Sequence, residues 1–301
     1  MSETATLLQN LDGWQKYQRV RAARPFSLVV AVAACLQGII LGWSASDQPF
    51  LLSLLLLAGG ILLQFGVNLI NDYSDLNELS LRFPQADAKQ LYQLSALIKQ
   101  NFRYGLGCFA LALLIGVYLI YLHGLPLLGL FALGLAGAYF YTQEPICYKK
   151  RGLGVPLVFW LMGVLMIVGS YYVMTGHYDR DLLWHALPLS LLTSLLLLSN
   201  ELRDYESDQR NSQHTLTVRI GYGLSVQLYL LLTLAAFVSV FYLWQLELLA
   251  YPWLILLALP TLKQPLLLLL RPEEERRLLT PLTGRFHGFF ALLLLISYLL
   301  A

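Results

Sequence analysis

Nine stretches of this chain are apolar for close to the length that crosses a bilayer, and this constrains the fold more than any other feature. A helix needs about 20 mostly apolar residues to span the hydrocarbon core. The sequence predicts spans at roughly 27–45, 51–71, 104–122, 125–142, 153–174, 184–202, 222–245, 248–269 and 286–301, the boundaries good to about two to four residues. The eighth is interrupted by Pro260, Lys263 and Pro265, and the ninth is short. Only 13% of the 301 residues are charged, against about 25% in a soluble domain. The expected fold class is therefore all-α, a multi-pass integral membrane bundle of about nine transmembrane helices. It is read as one polytopic domain over 1–301, with 1–25 as a cytoplasmic or interfacial N-terminal segment and 76–103 and 203–221 as cytoplasmic cap loops.

The placement of basic residues orients the bundle. With the N-terminus in the cytoplasm, all but one of the 20 Lys and Arg fall on the cytoplasmic side, and the exception is Arg180. So uneven a distribution matches the positive-inside rule and supports both the span count and the orientation; the expected location is the cell (inner) membrane, with the N-terminus and the active-site mouth cytoplasmic. The polar start, Met1–Arg24, has no apolar core with a cleavage site, so no removable signal peptide is expected. Cys35, Cys108 and Cys147 are scattered without metal-ligand spacing, so neither disulfides nor zinc are expected. The net charge of +2 gives no reason to expect nucleic acid as a partner. Outer loops are short, and the loops after the second and sixth spans are long and polar, where function usually lies. Gln85–Gln100 carries Leu91, Leu94, Leu97 and Ile98 at helical spacing, predicting a short amphipathic helix over the cytoplasmic mouth. Thr6–Ala22 reads as a second amphipathic segment lying on lipid headgroups.

Two acidic clusters close apolar runs on that same side. The first is Asn68-Leu-Ile-Asn71-Asp72-Tyr-Ser-Asp75, and the second is Asn200-Glu201-Leu-Arg203-Asp204-Tyr-Glu206-Ser-Asp208. Charge at membrane depth is costly and marks function by default. On a helix Asn68, Asp72 and Asp75 share a face, as do Asn71, Asp75 and Glu78. Asn200, Asp204 and Asp208 follow at i, i+4 and i+8. Mg²⁺ takes a few carboxylates, waters and substrate phosphate oxygens rather than an all-protein cage, so two such ladders suit Mg²⁺ ions that bridge a diphosphate.

These residues resemble a family. Asn71-Asp72-Tyr-Ser-Asp75 is similar to the N-D-x-x-D motif of UbiA-type intramembrane prenyltransferases, and Asp204-Tyr-Glu-Ser-Asp208 to their D-x-x-x-D motif. The resemblance is nearest to the 1,4-dihydroxy-2-naphthoate prenyltransferases of menaquinone synthesis. It rests on Asn200-Glu-Leu-Arg203-Asp204, Thr215-Leu-Thr-Val-Arg219-Ile-Gly221, Ala23-Arg24-Pro25, Tyr141-Thr142, Arg151-Gly152-Leu153-Gly154 and Tyr171-Tyr172-Val-Met-Thr175-Gly176. Four positions depart from the pattern. The third acid of the first motif is missing at Leu79, Ser80 and Leu81, with only Glu78 nearby. Gln213 replaces a lysine, Phe26 a basic residue and Val155 a glutamate. Arg82, Lys149, Lys150 and Arg151 are candidates to replace the lost positive charge.

The resemblance implies Mg²⁺-dependent transfer of a polyprenyl group from an allylic diphosphate to an aromatic acceptor, 1,4-dihydroxy-2-naphthoate or a related quinone precursor. The alternatives are 4-hydroxybenzoate, homogentisate or another acceptor. It implies Asp72, Asp75, Asp204 and Asp208 as catalytic metal ligands, supported by Asn68, Asn71 and Asn200. Arg203, Arg219 and Arg151 would serve the diphosphate. Phe65, Tyr139, Tyr141, Trp160 and Tyr172 are candidates to line the chamber that shields the allylic cation, through their π faces. His214, beside the second motif, is a weaker candidate for substrate contact; His123, His177 and His185 are read as interfacial, His287 as a helix-end residue, and Glu273–Arg277 as a solvated turn. The lipid bilayer is the expected surrounding, with no obligatory protein partner. Against a transporter, the third, fourth, fifth and seventh spans hold no Asp, Glu, Lys or Arg in their interiors. Against a CDP-alcohol phosphotransferase, the D-G-x-x-A-R element is absent. The changes at Leu79 and Gln213 leave open a weakly active member that binds isoprenoid or quinone.

Overall fold

The computed structural model describes residues 7–141 and 145–300, apart from the side chains of Phe26, Glu78 and Lys149. Among the described residues there are helices and turns and no strand. The main helices are α1 (Leu28–Gly42), α2 (Pro49–Asn71), α3 (Ala88–His123), α4 (Leu125–Phe140), α5 (Gly154–Thr175) and α6 (Leu182–Arg203). They continue with α7 (Tyr205–Arg210), α8 (Leu216–Ile220), α9 (Tyr222–Gln245), α10 (Pro252–Leu268) and α11 (Leu279–Leu299). Among the described residues, seven helical stretches are long and apolar enough to cross a membrane. Two further expected spans, α4 and α10, are apolar but shorter. The protein is an integral membrane helical protein.

Two boundaries differ from the sequence reading. The amphipathic segment before the third span is helical but is not a separate helix: α3 runs unbroken for 36 residues. Nothing between Ala88 and His123 stops it, since Gly105 and Gly107 lack the proline or αL residue that ends a helix. The last span starts earlier than residue 286, because the turn Glu273–Leu278 leads straight into α11.

The chain divides into two compact units, one formed by Ala58–Val117 with the described part of Met1–Leu28, the other by Val29–Leu57 with Tyr118–Ala301. In the first, the backbones of α2 and α3 touch: a Cβ on Gly105 would lie 3.1 Å from the Gly66 carbonyl oxygen, and one on Gly66 would lie 3.2 Å from that of Gly105. Small residues permit this approach where lipid removes the hydrophobic drive to associate. The N-terminal segment does not lie free on headgroups. Leu8, Leu11, Trp14 and Tyr17 are buried against Leu79, Phe83, Leu94 and Ile98. Two amphipathic faces cover each other, and outside the lipid each large side chain so buried contributes about 2 kcal/mol. Asn101 Nδ2 donates to the Tyr17 carbonyl at 2.8 Å and fixes the register.

In the second unit α6 is central, with Leu189, Leu192, Leu195 and Leu198 buried among α5, α9 and α11. The middle of α5, Phe159–Val164, is π-helical. There Gly163 lies against α6 so closely that a Cβ would meet Ser190 Cα at 2.6 Å. His287 lies inside α11, not at its end, and is 1% exposed.

Candidate active site

The first motif straddles a change of helix type. α2 ends at Asn71 and the chain tightens into a 3₁₀ helix over Asp72–Glu78. At three residues per turn, positions i and i+3 eclipse. Asp72 and Asp75 are therefore stacked by the 3₁₀ period rather than by the α-helical ladder expected from sequence. Glu78 takes the next such position, and its side chain lies outside the described part. Asn71 is half-buried and its carbonyl accepts from Ser74 Oγ at 2.9 Å.

Both carboxylates are buried and held by cations. Arg24 Nη2 pairs with Asp72 Oδ1 at 2.8 Å. Asp75 receives Lys16 Nζ at 2.7 Å and Arg82 Nη2 at 2.9 Å. Tyr17 Oη donates to Asp75 Oδ2 at 3.0 Å. Burial, then the Asp75 charge, pushes the Tyr17 phenol far above its ordinary range, so it stays a donor. Asn68 Nδ2 donates to the Ala23 carbonyl and to Ser27 Oγ, both at 2.8 Å. It ties α2 to the turn that carries Arg24. Sequence reasoning did not assign Lys16, Tyr17 or Arg24 to the site. The signals were the Arg-Pro step and the apolar spacing of Leu8, Leu11 and Trp14.

The second motif is not one continuous ladder. α6 ends at Arg203, Asp204 (φ −96, ψ 8) interrupts the helix, and α7 follows. Asp204 Oδ1 and Oδ2 accept Arg203 Nε at 2.7 Å and Nη2 at 2.6 Å. Thr215 Oγ1 donates to Asp208 Oδ2 at 3.4 Å, and the Asp208 carbonyl accepts from Gln213 N at 2.8 Å. The carbonyl of Asn200 receives the Asp204 N–H at 3.1 Å. Glu201, buried at the end of α6, accepts the Thr217 N–H at 3.1 Å. A Cβ on Gly154 would sit 3.4 Å from Glu201 Oε1. Glu201 therefore ties the end of α6 to the Thr215–Gly221 loop and lies beside Gly154, a role that its place in an acidic run did not reveal.

Arg219 is exposed, donating from Nε to the His214 carbonyl at 2.9 Å and from Nη2 to the Lys150 carbonyl at 3.3 Å. It packs on Gly152, which has φ +72 and where a Cβ would stand 2.6 Å from Arg219 Cδ. Arg151 is exposed and donates to the Pro145 carbonyl at 2.7 Å. Tyr141 meets Tyr148 edge to face at 5.4 Å; burial pushes the Tyr148 phenol up to about 12, and it donates to the Gly137 carbonyl. Thr142 lies outside the described residues. Of the other aromatics, Phe65 packs on Ala22, Ala23 and Leu69, while Tyr139 and Trp160 are exposed. Tyr172 belongs elsewhere: it stacks on Tyr178 at 4.5 Å and donates to the His123 carbonyl. That is the far end of α5 from Gly154, about 27 Å along the axis at 1.5 Å per residue.

Among the described residues no three His, Cys, Asp or Glu side chains gather into a metal cage. The donors present are carboxylate pairs, hard oxygen ligands of the kind Mg²⁺ uses together with substrate phosphate, so the residues fit that ion.

Residues 28–294 match the UbiA prenyltransferase family. A 1,4-dihydroxy-2-naphthoate octaprenyltransferase of Escherichia coli is 31% identical, over 81% of this chain and 82% of its own length. The Bacillus subtilis protein of the same name is 26% identical, over 92% and 91%. A solved UbiA homolog from Archaeoglobus fulgidus superposes with a TM-score of 0.63, at 16% identity, over 95% of this chain and 98% of that one. A structure of a UbiA homolog from the same organism, bound to GPP and Mg²⁺, gives 0.58 at 16% identity, over 93% and 99%. In helical architecture, membrane character and sequence, the chain belongs to the UbiA prenyltransferase family.

Proposed function

We propose that this UbiA-family prenyltransferase moves a polyprenyl group from an allylic diphosphate to 1,4-dihydroxy-2-naphthoate, with Mg²⁺ as its metal. The observation that carries the acceptor is the similarity over 92% of the chain to a relative of that name. The metal and donor classes are supported by a neighbour that binds GPP and Mg²⁺ and by the oxygen-only donors of both motifs. The whole chain is read as one prenyltransferase domain, a reading supported by the family match over residues 28–294. The side bearing the basic residues is cytoplasmic in this reading, as the lone outlier Arg180 supports.

Asp72 and Asp75 would hold metal at the first motif, and Asp204 and Asp208 at the second. When bound, Mg²⁺ neutralises diphosphate oxygens and so eases departure of the leaving group. The chain's own cations do related work. Lys16, Arg24 and Arg82 pair with the buried carboxylates of the first motif and order them. Arg203 orients Asp204 through its paired contacts, and Arg219 and Arg151 offer exposed guanidinium groups for phosphate oxygens. Asn68 anchors the turn that presents Arg24, while Asn71 and Asn200 complete the polar ends of α2 and α6. Tyr141 contributes an aromatic face beside the Arg151 loop.

The test is a transfer assay on membranes containing the protein. Labelled allylic diphosphates of several lengths are offered with 1,4-dihydroxy-2-naphthoate, 4-hydroxybenzoate or homogentisate, with Mg²⁺ and with chelator. Mg²⁺-dependent prenylated naphthoate is expected. Product with another acceptor alone replaces the acceptor; no product from any pair, with the protein correctly inserted, overturns the reading.

A further inference from the structure

Arg276 belongs to a run, Glu273-Glu-Glu-Arg-Arg277, whose composition reads as a solvated turn. Instead its side chain is 1% exposed. An arginine so buried persists only with partners around it. Nη1 donates to the Leu202 carbonyl at 3.0 Å, Nη2 pairs with Glu206, and the guanidinium lies 4.6 Å from the centre of the Tyr222 ring. Leu202 is in the last turn of α6, where carbonyls have no helical donor of their own. The cation therefore caps α6 directly before the break at Asp204.

A second pair runs from the same turn with the charges reversed. Arg210 Nη2 lies 2.6 Å from Glu273 Oε1, and Nη1 lies 3.0 Å from Oε2. The turn before α11 thus gives one base and one acid, and α7 gives one acid and one base, four residues apart. At about 100° per residue, Glu206 and Arg210 share one face of α7, and Asp208, two positions from each, lies about 200° round the axis; Asp204 caps the start of α7, its carbonyl accepting the Asp208 N–H at 2.7 Å. A helix of 6 residues is far too short to hold itself. Its rotation is set by what it is tied to.

We propose that Arg276 and Glu273 are positioning residues. By clasping the Glu206–Arg210 face of α7, they turn Asp204 and Asp208 outward as a preorganised pair of ligands for a divalent cation. This rests on the metal role proposed above for Asp204 and Asp208. The clasp draws on four charges that the transfer chemistry itself does not use.

The test reads metal binding as well as turnover. Mn²⁺ binding to the purified full-length protein is followed by the loss of the free-ion EPR signal, and the Mg²⁺ concentration at half-maximal transfer is measured alongside. Groups that orient metal ligands typically change metal affinity by about 10–100-fold. Glu206→Gln and Arg276→Lys are expected to weaken the Asp208-dependent Mn²⁺ binding at least about tenfold. Arg210→Glu should weaken it as well, and Arg210→Glu with Glu273→Arg should restore it. A purely structural role would lower the yield of folded protein and leave the metal affinity of the folded fraction unchanged. That result overturns the proposal, as does a charge reversal that fails to restore binding. The Arg210–Glu273 pair is exposed and keeps the test decisive if an Arg276 variant does not fold. Asp208→Asn separates the two readings. If it binds Mn²⁺ like the wild type, the metal role of the motif itself fails. If it loses binding while the clasp variants keep theirs, only the clasp fails.

Discussion

Arg24 combines an unfavourable backbone with a favourable ion pair, and removing its side chain in two ways should separate them. Its backbone is left-handed, φ 48 and ψ 65, immediately before Pro25. A residue with a Cβ in that region is costly by about 1–2 kcal/mol, and glycine is not. Its guanidinium pairs with Asp72 at 2.8 Å, the two side chains 31% and 5% exposed. Breaking a fully buried pair costs about 3–5 kcal/mol. With Arg24 nearly a third exposed, water recovers part of this, leaving about 2 kcal/mol, close to a charge-assisted hydrogen bond. Arg24→Ala should therefore destabilise by about 2 kcal/mol, and Arg24→Gly by about 1, because relief at φ 48 offsets part of the loss. Unfolding in mixed micelles of rising SDS fraction, followed by far-UV circular dichroism, measures both. Adding Asp72→Asn to each variant completes the cycle, and a coupling of about 1–2 kcal/mol is expected between the partners. Equal stability of the Ala and Gly variants would refute the strain argument, and additive Arg24 and Asp72 effects would refute the ion pair.

Asp72→Ala or Asp204→Ala is expected to abolish transfer while leaving the protein inserted in membranes; normal turnover in either would remove the metal assignment. Chelation should stop transfer reversibly, and transfer that persists in excess EDTA would exclude the Mg²⁺ role. Cysteine replacing Ala86 should react with an impermeant maleimide from the cytoplasmic side, and cysteine replacing Tyr178 from the outside, the opposite pattern overturning the orientation. Gly163→Ala brings a methyl to 2.6 Å from Ser190 Cα, so α5 and α6 must part, and a loss of about 1–3 kcal/mol is expected in SDS unfolding.

What could be read from the sequence follows from what is local. Apolar runs reveal membrane helices because lipid forces each backbone to satisfy its own hydrogen bonds. The two acidic motifs stood out because carboxylates beside such runs are rare. Composition could not locate their counter-ions, since Lys16 and Arg24 stand 59 and 48 residues before their partners. The change to 3₁₀ geometry after Asn71 and the break at Asp204 were equally hidden, because spacings of three and four both suit an α-helix. The pairing of the N-terminal segment with Leu94 and Ile98 was nearer to view. Two amphipathic faces assigned to the same side of the membrane can bury each other as readily as they can lie on lipid. Arg276 gave no signal at all, since a run of three Glu and two Arg looks solvated until a fold wraps around it.

The two motifs handle the same electrostatic problem differently. Asp72 and Asp75 are nearly inaccessible, and an ionised carboxylate in that position is tolerable only beside compensating charge. The chain supplies it from outside the apolar bundle, through a segment whose position is fixed by Leu8, Leu11 and Trp14 packing on α3. Ordering of the N-terminal segment and neutralisation of the first motif are thereby linked, since loosening the apolar cluster would withdraw Lys16 and the Tyr17 hydroxyl from Asp75 and leave it with Arg82. Asp204 is 41% exposed, so water already screens it, and its neighbour Arg203 suffices without a remote cation. What the second motif lacks is rigidity, because it sits on a broken helix end. There the ion pairs of Glu206 with Arg276 and of Arg210 with Glu273 tie α7 to the turn before α11. Burial therefore dictates neutralisation at the first motif, and exposure dictates clamping at the second.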